Sequence, residues 1–238
     1  MTAAALALDW LNQGGQRLEA DPVLAQELMR WGLMGLPEES CGYFNLGIAL
    51  HQQRRIAAAI RAYETSLSQE NSPYWHASNN LAQDLLLSGN FKRGWELYER
   101  RLGMRPEKFA FFEHHGGPAW LGPDDPQGLP KHLVLPAEQG FGDMLQFSRF
   151  ALSMQALGVR TTIFCSAGIM DLLREWGDFD AVEEMVEDDI FDNTTRWCPL
   201  MSLPHRLGIH SANVPYASGY LRADANKVSA WRARLKRR

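Results

Sequence analysis

A helical front half followed by an α/β back half built on parallel strands is what this sequence predicts, and three observations carry that reading. A 35-residue repeat occupies the first hundred residues, a Pro- and aromatic-rich stretch follows, and apolar strand-like runs then alternate with helical ones. The boundaries expected from these changes are 1–106 for about three helical hairpins, 107–130 for a joint, 131–222 for a parallel-sheet domain and 223–238 for a basic helix or tail.

Composition limits what such a chain can be. Of its 238 residues 45% are hydrophobic, enough to fill real cores. No apolar run approaches the roughly 20 residues that cross a bilayer, so no membrane span is expected. The start, Met1 to Trp10, lacks the basic flank of a secretory leader and meets Asp9 early. Cys41, Cys165 and Cys198 are scattered and odd in number, which fits neither a disulfide framework nor a metal spacing and points to the reducing cytoplasm. Net charge is −4, but six basic residues and no acid fall within 227–238. The remainder then holds 18 basic residues against 28 acidic ones, a poor match for a phosphate backbone, so no nucleic-acid partner is expected. The basic end itself reads as a solvated terminal helix.

The repeat is read first, because missing it misreads the whole fold. Tyr43 to Leu50 aligns with Ser78 to Leu85, and at the same offset Ala59 meets Gly94 and Tyr63 meets Tyr98. Small residues let paired helices approach, and the aromatic fills the gap between them. Pro106 closes the second unit, and Pro73 plays that part in the first. Residues 3–13 and 22–34 read as a third, degenerate hairpin joined through Gly14-Gly15 and Asp21-Pro22. These features together resemble the tetratricopeptide repeat.

From 107 to 130, Pro118, Pro123, Pro126 and Pro130 favour irregular backbone. Phe109, Phe111, Phe112 and Trp120 argue against a floppy linker and are expected to pack the repeats onto the next domain. His114 and His115 have no Cys, Asp or Glu partners at ligand spacing, so no metal site is expected.

Leu133, Val134 and Leu135 form the apolar run of a doubly covered strand. Gly140 and Gly142 follow, where glycine allows backbone angles or close approaches that a side chain obstructs. Asp143 with Gln146 fits a helix N-cap and its reciprocal partner. Phe147, Phe150, Ala151 and Met154 recur at helical spacing, and Gly158 marks the exit. A strand feeding a helix through glycines exposes unpaired N–H groups that can hold an anion or a sugar phosphate. Val159–Cys165 reads as a second strand, Gly168–Trp176 as a helix ended by Gly177, Asp180–Val186 as a third strand and Thr194–Cys198 as a fourth. That alternation is the grammar of a Rossmann-like, doubly wound sheet. Dinucleotide binding is disfavoured: Leu145 stands where the fingerprint needs its third glycine, and the second strand ends Cys165-Ser166 with no carboxylate for a ribose. No cofactor is expected.

A more specific match lies in Gly94 to Arg100, Pro118-Ala119-Trp120, Glu138 to Asp143, Gln146-Phe147, Cys198 to Pro204, Val214-Pro215-Tyr216 and Tyr220-Leu221. Together they resemble a bacterial family that joins tetratricopeptide repeats to a glycosyltransferase-like domain of the two-Rossmann (GT-B) type. The resemblance implies that 131–222 is the N-terminal Rossmann half of such a fold. It also implies a sugar site at Glu138, Gln139, Gly140 and Gly142. The Gly142-Asp143 pair is similar to the glycine-aspartate turn of heptosyltransferases, where the aspartate is proposed as base on the acceptor hydroxyl; by position Asp143 takes that role here. Asp143 is equally suited to cap a helix, and one carboxylate does not easily serve both tasks. In the repeats of O-linked N-acetylglucosamine transferases an asparagine one before the signature leucine lines the inner groove and binds extended peptide. Asn45 and Asn80 occupy that position and are the expected peptide-binding residues, the bland alternative being a tie within the repeats.

In the GT-B family the nucleotide-sugar sits mainly on a second Rossmann domain. Trp231 to Arg238 falls about where that domain would start. The expectation is thus an acceptor-side half, inactive as the isolated chain, with the donor-binding half absent. Its expected partners are a peptide or protein in the repeat groove and, on the other side, a second Rossmann domain or nucleotide-sugar. A non-catalytic repeat scaffold is the alternative.

Overall fold

The computed structural model describes residues 2–70, 72, 74–184 and 190–236, apart from the Trp176 side chain. The readings placed on Pro73, on the end of the third strand at residues 185–186 and on Arg237 and Arg238 lie outside these. Six helices come first: α1 (Ala3–Arg17), α2 (Pro22–Gly35), α3 (Ser40–Gln52), α4 (Ile56–Ser68), α5 (Tyr74–Leu87) and α6 (Phe91–Tyr98). They pack as successive antiparallel hairpins. Thr2 and Asp21 cap the first two, their side-chain oxygens accepting from the backbone N–H of Ala5 and Leu24. Pro22 stands at the first helical position of α2, where its missing N–H costs nothing.

The Gly14-Gly15 pair is not the expected link between hairpin arms. Helix α1 runs through it to Arg17. A Cβ on Gly14 would sit 2.9 Å from Met29 Cε and 3.2 Å from the Ala25 carbonyl oxygen. The glycine is there because α2 lies against it. Gly47 shows the same logic in the first signature repeat, where a Cβ would come within 2.3 Å of the buried Tyr63 ring. The aromatic does fill the space that the small residue vacates.

Residues up to Arg105 form one compact unit, and Pro106 onward another. The second opens with a 3-10 turn (Pro106–Phe109) and α7 (Ala110–Gly116), where proline-rich composition predicted irregular backbone. Packing overrode composition there. Phe109 stacks on Trp197 at 5.7 Å between ring centroids, and Phe112 meets Trp197 and Phe164 at 5.6 and 6.4 Å. Trp120 is fully buried, donating from its backbone N–H to the Trp197 carbonyl and from Nε1 to that of Gly128. The joint's aromatics thus cover the sheet of their own unit.

That sheet has four parallel strands: β1 (His132–Pro136), β2 (Arg160–Phe164), β3 (Ala181–Glu183) and β4 (Thr195–Trp197), in the order β3-β2-β1-β4. Every residue of β1 is buried, as its apolar run required. Leu133 pairs with Thr161 on one side and Arg196 on the other. α8 (Phe141–Phe147) and α9 (Arg149–Ala156) link β1 to β2, interrupted at Ser148, whose hydroxyl donates to the Leu145 carbonyl. Phe147, Phe150, Ala151 and Met154 are buried, and Gly158 exits with φ +81°. α10 (Ala167–Trp176) joins β2 to β3. An Asx turn at Asp192 aims the chain into β4: its Oδ1 accepts from the Thr194 N–H and the Thr195 hydroxyl, and these bonds hold its carboxyl down to about 2. α11 (Leu203–Arg206) follows, and α12 (Ala225–Leu235) is capped by Asp224 and paired to Glu175 through Lys227. No residue of α12 is buried, which agrees with a solvated basic helix. None of the described helices is long and apolar enough to cross a membrane.

Candidate functional site

Strand order places β2 and β4 on opposite sides of β1, so the chain changes direction of winding at the β1–β4 boundary. Open α/β sheets take ligands in the crevice outside the strands' carboxyl ends at such a boundary. The loop leaving β1 is Ala137 to Gly140. Ala137 ties it down on one side, its N–H donating 2.8 Å to the Phe164 carbonyl of β2. Glu138 ties it on the other, Oε1 accepting at 3.3 Å from the Met201 N–H just past β4. Lys108 Nζ donates 2.8 Å to the Glu138 carbonyl. Glu138 therefore bridges the two loops that flank the switch point.

Gln139, Gly140, Phe141 and Gly142 are exposed, and Glu138 and Asp143 are half-buried. None lies in a packed core. Gly140, at φ −68° and ψ 171°, is the residue that precedes α8, and no side chain caps the helix. The expected Asp143 N-cap is corrected by this: Asp143 is the third residue inside the helix, and Gln146 is exposed. A carboxylate in the first turn is favoured by the helix dipole, so the residue type suits the position without capping it. The two roles expected to compete for Asp143 are thus not in competition.

The glycines are not there for their angles. Neither Gly140 nor Gly142 has a positive φ. A Cβ on Gly142 would meet nothing within 4 Å, and one on Gly140 only Asp143 Oδ2 at 3.9 Å. Gly142 is the second residue of a helix, where alanine is favoured by less than the roughly 1 kcal/mol of a helix interior. Neighbouring Gly168 is different, since the Phe141 ring lies against it, 2.8 Å from where its Cβ would be. The loop is pinned at Ala137, Glu138 and Phe141, and open at Gly140 and Gly142.

In the repeats, Asn45 sits midway along α3 and Asn80 at the matching point of α5, both half-buried. Asn80 Nδ2 donates a long 3.5 Å bond to the Tyr63 hydroxyl, so part of its capacity is used inside the stack. Burial pushes the Tyr63 phenol well above its ordinary range, a direction the nearby Asp84 charge reinforces and the Asn80 bond opposes. Asp84 is fully buried and accepts at 2.6 Å from His51 Nδ1, while its Oδ2 has no partner. Burial raises the Asp84 carboxyl, and the hydrogen bond and charge of His51 pull it back. This pair was not anticipated, although the repeat alignment sets Asp84 opposite the buried Ala49. His114 and His115 pack ring to ring at 4.7 Å. The described residues contain no group of three or more His, Cys, Asp or Glu placed to hold a metal.

No protein-family model matches this sequence, and no curated protein does. Among solved structures, the chain is similar to a variant O-GlcNAc transferase from Thermobaculum terrenum, at 16% identity and a TM-score of 0.41. The similarity covers 78% of this chain and 42% of that one, so the chain spans about two fifths of the length of that transferase.

Proposed function

We propose that the second unit is the acceptor-side wall of a glycosyl-transfer cleft, of the GT-B type that its motifs resemble. Glu138, Gln139, Gly140 and Gly142 shape the sugar site, and Asp143 takes the proton of the acceptor hydroxyl as that oxygen bonds to the donor's anomeric carbon and the bond from that carbon to the nucleotide's phosphate oxygen breaks, the nucleotide leaving with the electron pair. The observation that carries this reading is Gly142: a glycine inside a helix, with open space above it and no local need to be glycine. A ligand brought close to the backbone is what remains to require it. One wall neither excludes water nor orients two reactants. Such a wall by itself is expected to bind a sugar phosphate weakly and to transfer nothing. Incubation with radiolabelled nucleotide-sugars tests this, and turnover that disappears in Asp143→Ala would overturn the half-cleft reading.

The repeats are proposed as the peptide- or protein-binding part of the same molecule. Asn45 and Asn80 share one repeat position on consecutive inner helices, and each amide offers a donor and an acceptor to an extended backbone. Asn45→Ala with Asn80→Ala should weaken binding of a fluorescent extended decapeptide at least about tenfold; unchanged affinity would leave the asparagines as ties within the stack. Peptide binding with no sugar binding at the loop would favour the scaffold alternative.

A further inference from the structure

Between the α3–α4 turn and the end of α5 lies an open concavity of about 710 Å³ whose lining no activity proposed above uses. Arg54, Arg55 and Arg61 line it together with Ile56, Ile60 and Leu87, and no carboxylate does. Leu87 leaves 60% of its surface exposed there. The lining combines apolar and cationic side chains. We propose that this concavity docks an acidic segment of a partner protein through an apolar anchor residue flanked by carboxylates.

Three observations on the chain's own terms support it. Among the described residues, neither Arg54 nor Arg61 has an ion-pair partner. Arg55 Nη1 donates 2.6 Å to Gln26 Oε1, a neutral amide that directs the guanidinium without neutralising it. Arg54 and Arg55 thus stand at the N-terminus of α4, the end whose dipole disfavours positive charge, and Arg61 follows one turn further along the same helix.

The second observation is the backbone of Arg54. It has a φ of +61°, a left-handed conformation that costs a residue with a Cβ and suits glycine. One repeat later the same turn position is Gly89, at φ +86° and with nothing within 4 Å of its Cβ direction. The chain solves this turn with glycine once and with arginine once, and the arginine is at the concavity. Strain of this kind is kept where a side chain is wanted.

The third is complementarity, which selects the occupant. Guanidinium groups match carboxylates in a planar fork, and the exposed Leu87 beside Ile56 and Ile60 matches an aliphatic anchor. The site is distinct from the inner face of Asn45 and Asn80 and from the glycine loop, so its fate is independent of both.

The test uses the intact chain and a fluorescein-labelled acidic octapeptide with two central leucines, followed by anisotropy. Saturable binding is expected that weakens with salt and falls at least about tenfold when the leucines become serines or the acids become amides. Arg54→Gly combined with Arg61→Gln should cost a similar factor. Arg54→Gly alone should weaken binding without lowering the melting temperature, because the turn accepts glycine. Absence of saturable binding, or affinity unmoved by these substitutions, would overturn the proposal. So would attachment to phosphatidylserine vesicles in place of the peptide, or self-association of the chain that Arg61→Gln abolishes.

Discussion

Asp84 is a carboxylate where the preceding repeat has Ala49, and its environment sets its chemistry. With burial raising its pKa above the unfolded value of about 4, the sign is fixed. Its contribution to stability is fully present below the unfolded pKa and is lost as pH rises through the folded one. The hydrogen bond and charge of His51 oppose that loss. In His51→Ala the buried Asp84 carboxyl loses its 2.6 Å bond to His51, so a cost of about 1–3 kcal/mol is expected, with stability falling more steeply than in the parent as pH rises. Urea unfolding midpoints across a pH series check this, and an unchanged midpoint with an unchanged pH slope would contradict it. The pair was legible in principle, since the repeat alignment set an acid opposite a buried alanine. Its partner was not, because His51 aligns with Leu86 and reaches Asp84 only across helices. Asp143 shows the reverse error. Residue type suggested a cap, but α8 starts two residues earlier, at Phe141, and places the carboxylate inside the first turn.

Two helical glycines give opposite predictions, and the contrast belongs to the elements that hold them. Gly47 of α3 faces the Tyr63 ring of α4, so Gly47→Ala forces the hairpin apart and should cost about 1–3 kcal/mol through overpacking. Gly142 of α8 faces nothing, so Gly142→Ala should leave stability unchanged or raise it by up to about 1 kcal/mol. Thermal denaturation of both variants decides; a destabilised Gly142→Ala would mean that the loop needs glycine for its own folding. Helix and strand periodicity made the repeat helices and the strands β1 and β2 readable, because their buried faces dictate the apolar spacing. Gly14-Gly15 misled for the same reason that Gly47 did not. A glycine in sequence looks alike whether it breaks a helix or lets another helix touch it, and only the partner helix tells. The helix at Ala110–Gly116 was hidden because its stability comes from Trp197, 80 or more positions away.

Across the whole molecule, a stack of helical hairpins and a Rossmann-like parallel sheet each carry a surface that the fold does not need for itself. In the repeats these are the asparagine positions and an arginine-lined concavity. In the sheet unit it is the open loop above β1, beside the switch point that Glu138 spans. Uneven charge agrees with such a division, since the acidic bulk leaves few places where cations gather unpaired. The account rests most heavily on the claim that the glycine loop takes a sugar. Its direct test is an amide NMR titration of the intact chain with hexose 1-phosphates and the matching free sugars. The account predicts shifts concentrated at residues 138–143 and around Met201, abolished in a Gly142→Ala protein that melts no lower than the parent. Silence at that loop, or shifts that persist unchanged in Gly142→Ala, would contradict it.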